Sequence, residues 1–183
     1  MSKNNWIKVL KYSRNRLGKI SSSTDPNIRS EFQRDFDRIV FSSAFRRLQN
    51  KTQVLPFPRS DYVRNRLTHS LETASVGRSL GNIVGMKIIN KYPEIKQELK
   101  ISSFDFGYMV TAACLAHDIG NPPFGHSGEA AVNSFFKSKK AKKFIKSLSS
   151  KEIADLQNFE GNSAGFRILS KTLESQSNSY GGL

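Results

Sequence analysis

The segment from residue 115 to residue 129 constrains this chain more than any other. It ends an apolar run with His117 and Asp118, turns through a stretch rich in glycine and proline, and then carries His126 three residues ahead of Glu129. The chain has 3 histidines, and the third, His69, lies in another polar stretch with a glutamate close by. Imidazoles placed beside carboxylates favour a divalent metal site with an acid/base group next to it.

The size of the chain and its apolar content exclude several classes of protein. A length of 183 residues with 37% hydrophobic residues suits one globular domain with its own core. No apolar stretch reaches the roughly 20 residues that a membrane helix needs, and the first residues lack the apolar core of a secretory signal. We therefore predict a cytoplasmic protein with no membrane partner.

The charge is strongly positive and unevenly distributed along the chain. The net charge is +14, and residues 1–66 contain 15 Lys and Arg against 5 Asp and Glu. A second basic cluster consists of Lys137, Lys139, Lys140, Lys142, Lys143 and Lys146. This excess indicates either a solvated lysine-rich surface or a polyanionic partner, namely a polyphosphate substrate or a single-stranded nucleic acid such as single-stranded DNA.

The spacing of apolar residues predicts an almost wholly helical chain, that is, an all-α fold. The dipeptide Asp25-Pro26 is typical of a helix start, and the apolar pattern continues from there to about Leu48. Residues 50–61 contain two prolines and are predicted to form a loop or a short hairpin. Gly77 and Gly81 are expected to allow close helix packing. A second helix is predicted from about Leu67 to Ile89, and a third runs from Ser103 or Asp105 to Ile119, where Gly120 ends it. A fourth helix is predicted to follow the turn at 121–125. A fifth lies around Phe166–Leu169, after a lysine-rich linker.

His117 and Asp118 form the first candidate site. Adjacent residues in a helix diverge by about 100°, but at a final turn the chain leaves helical geometry and both side chains can reach one ion. The negative end of the helix dipole also favours a cation there. His69 could supply a third ligand, and such a mixed set suits Mn²⁺, Fe²⁺, Zn²⁺ or Ni²⁺. The alternative is a capped helix end where histidine and aspartate only hydrogen-bond.

His126 and Glu129 form the second candidate site, because residues three apart share one face of a helix. A carboxylate beside an imidazole fixes its tautomer and makes it a candidate general acid or base. The alternative is a histidine that caps its own helix. Arg66 has the planar fork that suits phosphate oxygens, although a solvated basic loop is the competing interpretation. Gln53 could bind a sugar hydroxyl.

Taken together, these residues resemble the HD-domain deoxynucleoside triphosphate triphosphohydrolases, most closely the bacterial dGTPases. Four blocks carry the resemblance in the family's order, and they are the stretches at 34–54, 66–72, 117–129 and 158–162, the last reading Asn-Phe-Glu-Gly-Asn. The resemblance implies an all-α HD-domain helical bundle. It also implies that residues 1–183 are the N-terminal part of one such phosphohydrolase domain, truncated at the C-terminus, with a further aspartate ligand beyond Leu183.

The resemblance further implies an activity and a role for each candidate residue. The reaction would be metal-dependent cleavage of a deoxynucleoside triphosphate, dGTP first, to the deoxynucleoside and tripolyphosphate. The implied metal is divalent, Mn²⁺ or Mg²⁺ before Fe, Zn, Ni or Co, and a homo-oligomer is implied for the full-length protein. The implied roles are metal ligation for His69, His117 and Asp118, catalysis for His126 with Glu129, and substrate binding for Gln53 and Arg66.

Two other functions stay open at this point. One is a catalytically incomplete fragment that binds single-stranded nucleic acid or a full-length partner through its basic surface. The other is a different HD-type nucleotidase or phosphodiesterase, which would use the same metal residues but which the blocks at 34–54 and 158–162 disfavour.

Overall fold

Helices make up most of the structure, a computed structural model that describes residues 2–11, 14–16, 19–21, 29–54, 60 and 62–170. The predicted all-α class is confirmed. In these ranges the α-helices are α1 (Lys3–Leu10), α2 (Glu31–Phe41), α3 (Ser43–Arg46), α4 (Arg66–Lys91), α5 (Pro93–Leu99), α6 (Ser103–Ala116), α7 (Gly125–Lys137), α8 (Lys142–Ile145), α9 (Ser150–Gln157) and α10 (Gly161–Ser170). Two short 3₁₀ segments span Arg47–Asn50 and Lys139–Ala141.

A short antiparallel hairpin is the exception to the helical pattern. It pairs β1 (Arg14–Arg16) with β2 (Lys19–Ser21), and Asn15 lies opposite Ile20. The sequence pattern did not predict this hairpin, because strands of three residues are too short to show a period of two.

The described residues divide into two compact units, the first formed by residues up to 42 together with 71–115. Its buried core consists of Leu10, Ile88, Ile95, Ile101 and Phe106. The ring of Trp6 packs edge-on against that of Phe106, with centroids 6.4 Å apart. This packing fixes α1 against α6, and α5 contributes Ile95, which is fully buried.

Within the first unit, α4 packs on α6 through a row of glycines. A Cβ on Gly81 would lie 2.7 Å from the backbone oxygen of Phe106, and one on Gly77 would lie 2.6 Å from Cys114 Sγ. The expected close packing at these two glycines is therefore confirmed. Of the apolar residues whose spacing predicts this helix, only Ala74 is buried, whereas Leu71, Leu80 and Val84 are exposed. The glycine face is buried instead, since it lets the helix backbones approach.

The predicted helix from Asp25 to Leu48 is wrong in its continuity. Residues 22–28 lie outside the described residues, and α2 starts after Ser30, whose hydroxyl accepts a hydrogen bond from the Gln33 amide at 3.2 Å. The chain leaves helical geometry at Ser42, which has φ −70° and ψ 146°. The Ser42 hydroxyl donates to the Ile39 carbonyl at 2.8 Å, so a serine side chain stops the helix.

The second unit is formed by residues 43–70 and, in the described part, 116–170. Leu48, Ile119 and Ala141 are its most deeply buried apolar residues. The lysine-rich stretch after α7 is not the predicted linker, because it folds into a 3₁₀ segment and α8. The helix α9 then begins at a capping box, in which Ser149 and Glu152 bond to each other's backbone amides.

The turn after α6 crosses α10 at very short range inside the second unit. A Cβ on Gly120 would overlap the backbone of Gly161 and Gly165, so only glycine fits there. In the described part of the chain, no helix is long and apolar enough to cross a membrane.

Candidate metal and acid/base site

The residues that begin α4 are held by local hydrogen bonds. The Asn65 side-chain oxygen accepts from the Thr68 amide at 2.9 Å, which caps the helix one residue before its start. The Arg66 amide donates to the Lys51 carbonyl at 3.0 Å, and Thr52 pairs with Asn65 in an isolated β-bridge. The first turn of α4 therefore presents Arg66 and His69 next to the segment that carries Gln53.

The turn that follows α6 carries the second pair of candidate ligands. The helix ends at Ala116, three residues earlier than predicted, and the Ile119 amide donates back to the Ala116 carbonyl at 3.1 Å. A residue of the same turn orients the Asp118 carboxylate, because the Asn121 side-chain amide donates to Asp118 Oδ1 at 2.6 Å. This leaves Oδ2 of the carboxylate for other partners.

His69, His117 and Asp118 converge into one cluster. Each offers one ligand atom, and these atoms all lie within 4.8 Å of one another. The two imidazole rings contact edge-on with centroids 5.3 Å apart, and His117 Nε2 lies 3.4 Å from Asp118 Oδ2. Two imidazole nitrogens and one carboxylate oxygen form a donor set that fits a divalent transition-metal ion. The predicted ligand residues are thus brought together, and the group could hold a metal ion.

Arg66 lies beside this cluster and is almost completely buried. Its Nη1 is 2.9 Å from Asp118 Oδ2 in an ion pair, yet neither that oxygen nor Arg66 Nε makes a hydrogen bond within the described residues. On its other side Arg66 faces the start of α7, because a Cβ on Gly125 would lie 2.8 Å from Arg66 Nη2. Gly125 has φ +55°, a backbone conformation that glycine adopts easily. Arg66 therefore links the cluster to the helix that carries His126.

His126 and Glu129 form the predicted pair on the first turn of α7. His126 Nδ1 lies 2.9 Å from Glu129 Oε2, and the other carboxylate oxygen accepts the Gly161 amide at 2.8 Å. The imidazole is fully exposed, whereas Glu129 is largely buried. The hydrogen bond from His126 and then that from Gly161 lower the pKa of Glu129 below its usual 4.5. A carboxylate can only accept, so Nδ1 donates and Nε2 of the neutral ring is an acceptor.

Gln53 directly follows Thr52, which pairs with Asn65 at the start of α4, and it has a polar atom without a hydrogen bond. Its Oε1 is buried and accepts no hydrogen bond from any residue that the structure describes. A buried acceptor of this kind is costly unless a ligand or a water satisfies it. The position is consistent with the predicted contact to a hydroxyl, although the role itself stays a prediction.

Lys51, Asn121 and Gly161 are three residues of this region that sequence reasoning missed. The Lys51 ammonium donates to the Asn121 carbonyl at 2.6 Å, and burial, followed by the nearby Arg66 and Arg47, lowers the pKa of Lys51. Asn121 orients Asp118, and Gly161 orients Glu129. Lys51 and Gly161 lie inside two of the motif blocks, but their roles depend on contacts between segments that are far apart in sequence.

With this geometry in place, comparisons with known proteins establish the family. The HD domain family matches residues 66–175. The chain therefore belongs to the HD domain family.

Similarity to individual relatives narrows the group within this family. The chain is 49% identical over 166 residues to a deoxyguanosinetriphosphate triphosphohydrolase-like protein of Pseudomonas aeruginosa, which covers 91% of this chain and 36% of that relative. A protein of the same description from Synechocystis is 49% identical over 168 residues. A deoxyguanosinetriphosphate triphosphohydrolase of Yersinia enterocolitica is 39% identical over 190 residues, covering 86% of this chain and 36% of that relative. The resemblance to this group is confirmed, and the chain spans just over a third of these relatives' length.

Proposed function

We propose that this chain is the N-terminal part of one HD-type phosphohydrolase domain that hydrolyses a deoxynucleoside triphosphate, in the first place dGTP. One observation carries the proposal: Arg66 pairs with Asp118 of a cluster that could hold a divalent metal, and in the same compact unit it lies against Gly125, the residue directly before the His126–Glu129 pair. The names of the relatives support the choice of substrate. The products would be the deoxynucleoside and tripolyphosphate.

His126 would act as the general base in this reaction. Because Nδ1 donates to Glu129, the lone pair on Nε2 is free to take a proton from a water molecule. The water oxygen then forms a bond to the α-phosphorus while the bond from that phosphorus to the 5′-oxygen breaks. The 5′-oxygen leaves with the electron pair of that bond and takes a proton from solvent to become the hydroxyl of the deoxynucleoside, and the water oxygen stays on the tripolyphosphate. The alternative role for the charged form of His126 is to supply that proton.

Three other residue groups would bind and orient the substrate. The guanidinium of Arg66 has a buried Nε without a partner in the described chain, and a phosphate oxygen would satisfy it. The buried Oε1 of Gln53 would accept a hydrogen bond from a deoxyribose hydroxyl. His69, His117 and Asp118 would hold a divalent ion, Mn²⁺ or Mg²⁺ first, and this ion would supply Lewis-acid polarisation of the phosphate group.

Phosphorus NMR of the purified chain with Mn²⁺ and dGTP tests this proposal. We expect a tripolyphosphate signal that disappears in the variant His126→Ala, because the general base is gone. The matched control is Ser134→Ala on the exposed side of the same helix, which should retain the activity. Release of pyrophosphate or orthophosphate would contradict the proposal and favour another HD-type nucleotidase. Absence of turnover would contradict it for this chain.

A second candidate function, binding of single-stranded DNA, rests on the basic cluster of the second unit. All six of its lysines are exposed, and they are Lys137, Lys139, Lys140, Lys142, Lys143 and Lys146. Two aromatic side chains accompany them: Phe135 and Phe144 are 39% and 56% exposed, with ring centroids 5.8 Å apart. Lysines for the phosphates and exposed rings for the bases are the two components of a sequence-tolerant single-strand site.

Fluorescence anisotropy with a labelled oligothymidine tests this second candidate. Replacing Lys139, Lys140 and Lys143 by alanine should make the negative slope of log affinity against log salt shallower by about 2, since each lost phosphate contact removes about 0.7. The control variant removes the same charge from Lys8, Lys87 and Lys96, which are exposed in the first unit. Equal losses in both variants would indicate a nonspecific effect of net charge and contradict the proposed site.

A further inference from the structure

The helix α7 carries a second polar side chain on the same face as Glu129. Asn133 lies one turn further along, and its amide makes two hydrogen bonds to a single backbone residue of another segment. Asn133 Nδ2 donates to the Phe159 carbonyl at 3.1 Å, and Asn133 Oδ1 accepts from the Phe159 amide at 2.6 Å. A side-chain amide that satisfies both backbone groups of one residue fixes that residue in position and in orientation.

Phe159 is two residues before Gly161, whose amide donates to Glu129 Oε1 at 2.8 Å. The segment between them is itself held, because the Glu160 carboxylate accepts from the amides of Asn162 and Ser163 at 3.0 and 2.7 Å. A displacement of Phe159 therefore also displaces the Gly161 amide, because the residues between them are held by hydrogen bonds. Gly161 has little room beside the helix, because a Cβ at this position would overlap the Asn121 side-chain oxygen and lie 2.8 Å from Glu129 Oε1.

The Gly161 amide determines which oxygen of the Glu129 carboxylate is available to His126. With Oε1 occupied by this amide, Oε2 is the oxygen that faces His126 Nδ1 at 2.9 Å. We propose that Asn133 is a positioning residue, which holds the segment from Phe159 to Gly161 so that Glu129 keeps His126 in the tautomer protonated at Nδ1. This inference rests on the proposed function for its catalytic meaning, but the tautomer can be measured without any turnover.

Nitrogen-15 NMR of the imidazole rings tests the proposal on the whole chain, which has only 3 histidines to assign. In the unaltered chain the neutral His126 ring should be protonated mainly at Nδ1. In Asn133→Ala we expect the ratio of the Nδ1–H to the Nε2–H form to fall about tenfold, the effect of losing one charge-assisted hydrogen bond. If the chain hydrolyses dGTP, kcat should fall by a similar factor while KM and Mn²⁺ affinity stay unchanged.

The control is Asn158→Ala, because the Asn158 side-chain amide donates to the Ala154 carbonyl of the preceding helix and, within the described residues, forms no hydrogen bond to α7. An unchanged tautomer ratio in Asn133→Ala, with the chain still folded, would overturn the proposal. If that variant does not fold, Asn133→Asp keeps the acceptor for the Phe159 amide and should show an intermediate ratio. A Gly161 amide that exchanges with solvent at an unprotected rate in the unaltered chain would also overturn it. If the tautomer ratio changes as expected but the chain forms no tripolyphosphate, only the proposed function is refuted.

Discussion

The two candidate clusters of the second unit differ in how they are built. His69, His117 and Asp118 come from two separate segments, and Asp118 is buried against Arg66. His126 and Glu129 lie on one helical turn, and the imidazole is fully exposed. The metal cluster therefore depends on tertiary packing, whereas the acid/base pair is local and needs packing only to orient its carboxylate. Changes near the site should affect the two clusters to different degrees.

The largest expected effect is the loss of one ligand from the metal cluster. We expect His117→Ala to weaken Mn²⁺ binding by at least about 100-fold, because even residues that only orient ligands change metal affinity 10- to 100-fold. The His117 side chain is 38% exposed, so the fold should survive its removal. Electron paramagnetic resonance of Mn²⁺ measures the affinity. Glu129→Gln is the matched control in the other cluster and should leave the affinity within about twofold; a comparable loss there would contradict the separation of the two clusters.

A smaller effect on both clusters at once is expected from Gly161→Ala. The new Cβ would overlap the Asn121 side-chain oxygen and lie 2.8 Å from Glu129 Oε1. We expect a loss of about 1–3 kcal/mol in the free energy of unfolding, as in other overpacked sites, measured by urea denaturation. Gly165→Ala is the control in the same helix, because its Cβ would lie at an ordinary 3.5 Å from its nearest neighbours. It should be neutral or stabilise the helix, and equal losses in both variants would refute the packing argument.

The smallest expected effect is a pH dependence of stability that belongs to the acid/base pair. The hydrogen bonds from His126 and Gly161 lower the pKa of Glu129, so the folded state binds its proton less readily than the unfolded state. The stabilisation is complete above the unfolded value of 4.5 and is lost as the pH falls from there through the lowered folded pKa. We expect less than about 1 kcal/mol, since the pair is near solvent. Urea titrations of the unaltered chain and Glu129→Gln across this pH range should differ in slope, and parallel curves would contradict the shift.

Much of the helical fold could be predicted because the apolar spacing is a local property of the chain. The predicted helix from about Leu67 to Ile89 matches α4, and the turn at 121–125 leads into α7 as expected. The predictions were wrong where the contact of a single side chain determined the course of the backbone. The hydroxyl of Ser42 donates to the Ile39 carbonyl and divides one predicted helix, and the basic cluster folds instead of forming a linker. Such breaks leave no trace in a pattern of apolar residues.

The candidate residues of both clusters could be read from the sequence alone, since the chain has few histidines and each has a carboxylate within 3 residues. The sequence also predicts the His126–Glu129 pair, whose contact follows from helical spacing alone. Three contacts depend on how the segments pack together: Arg66 pairs with Asp118, glycines rather than Leu71 and Leu80 face α6, and the Gly161 amide bonds to Glu129. The reason is physical: periodicity reports the contacts a residue makes along its own helix, whereas these contacts join segments whose relative placement depends on how closely their backbones can pack.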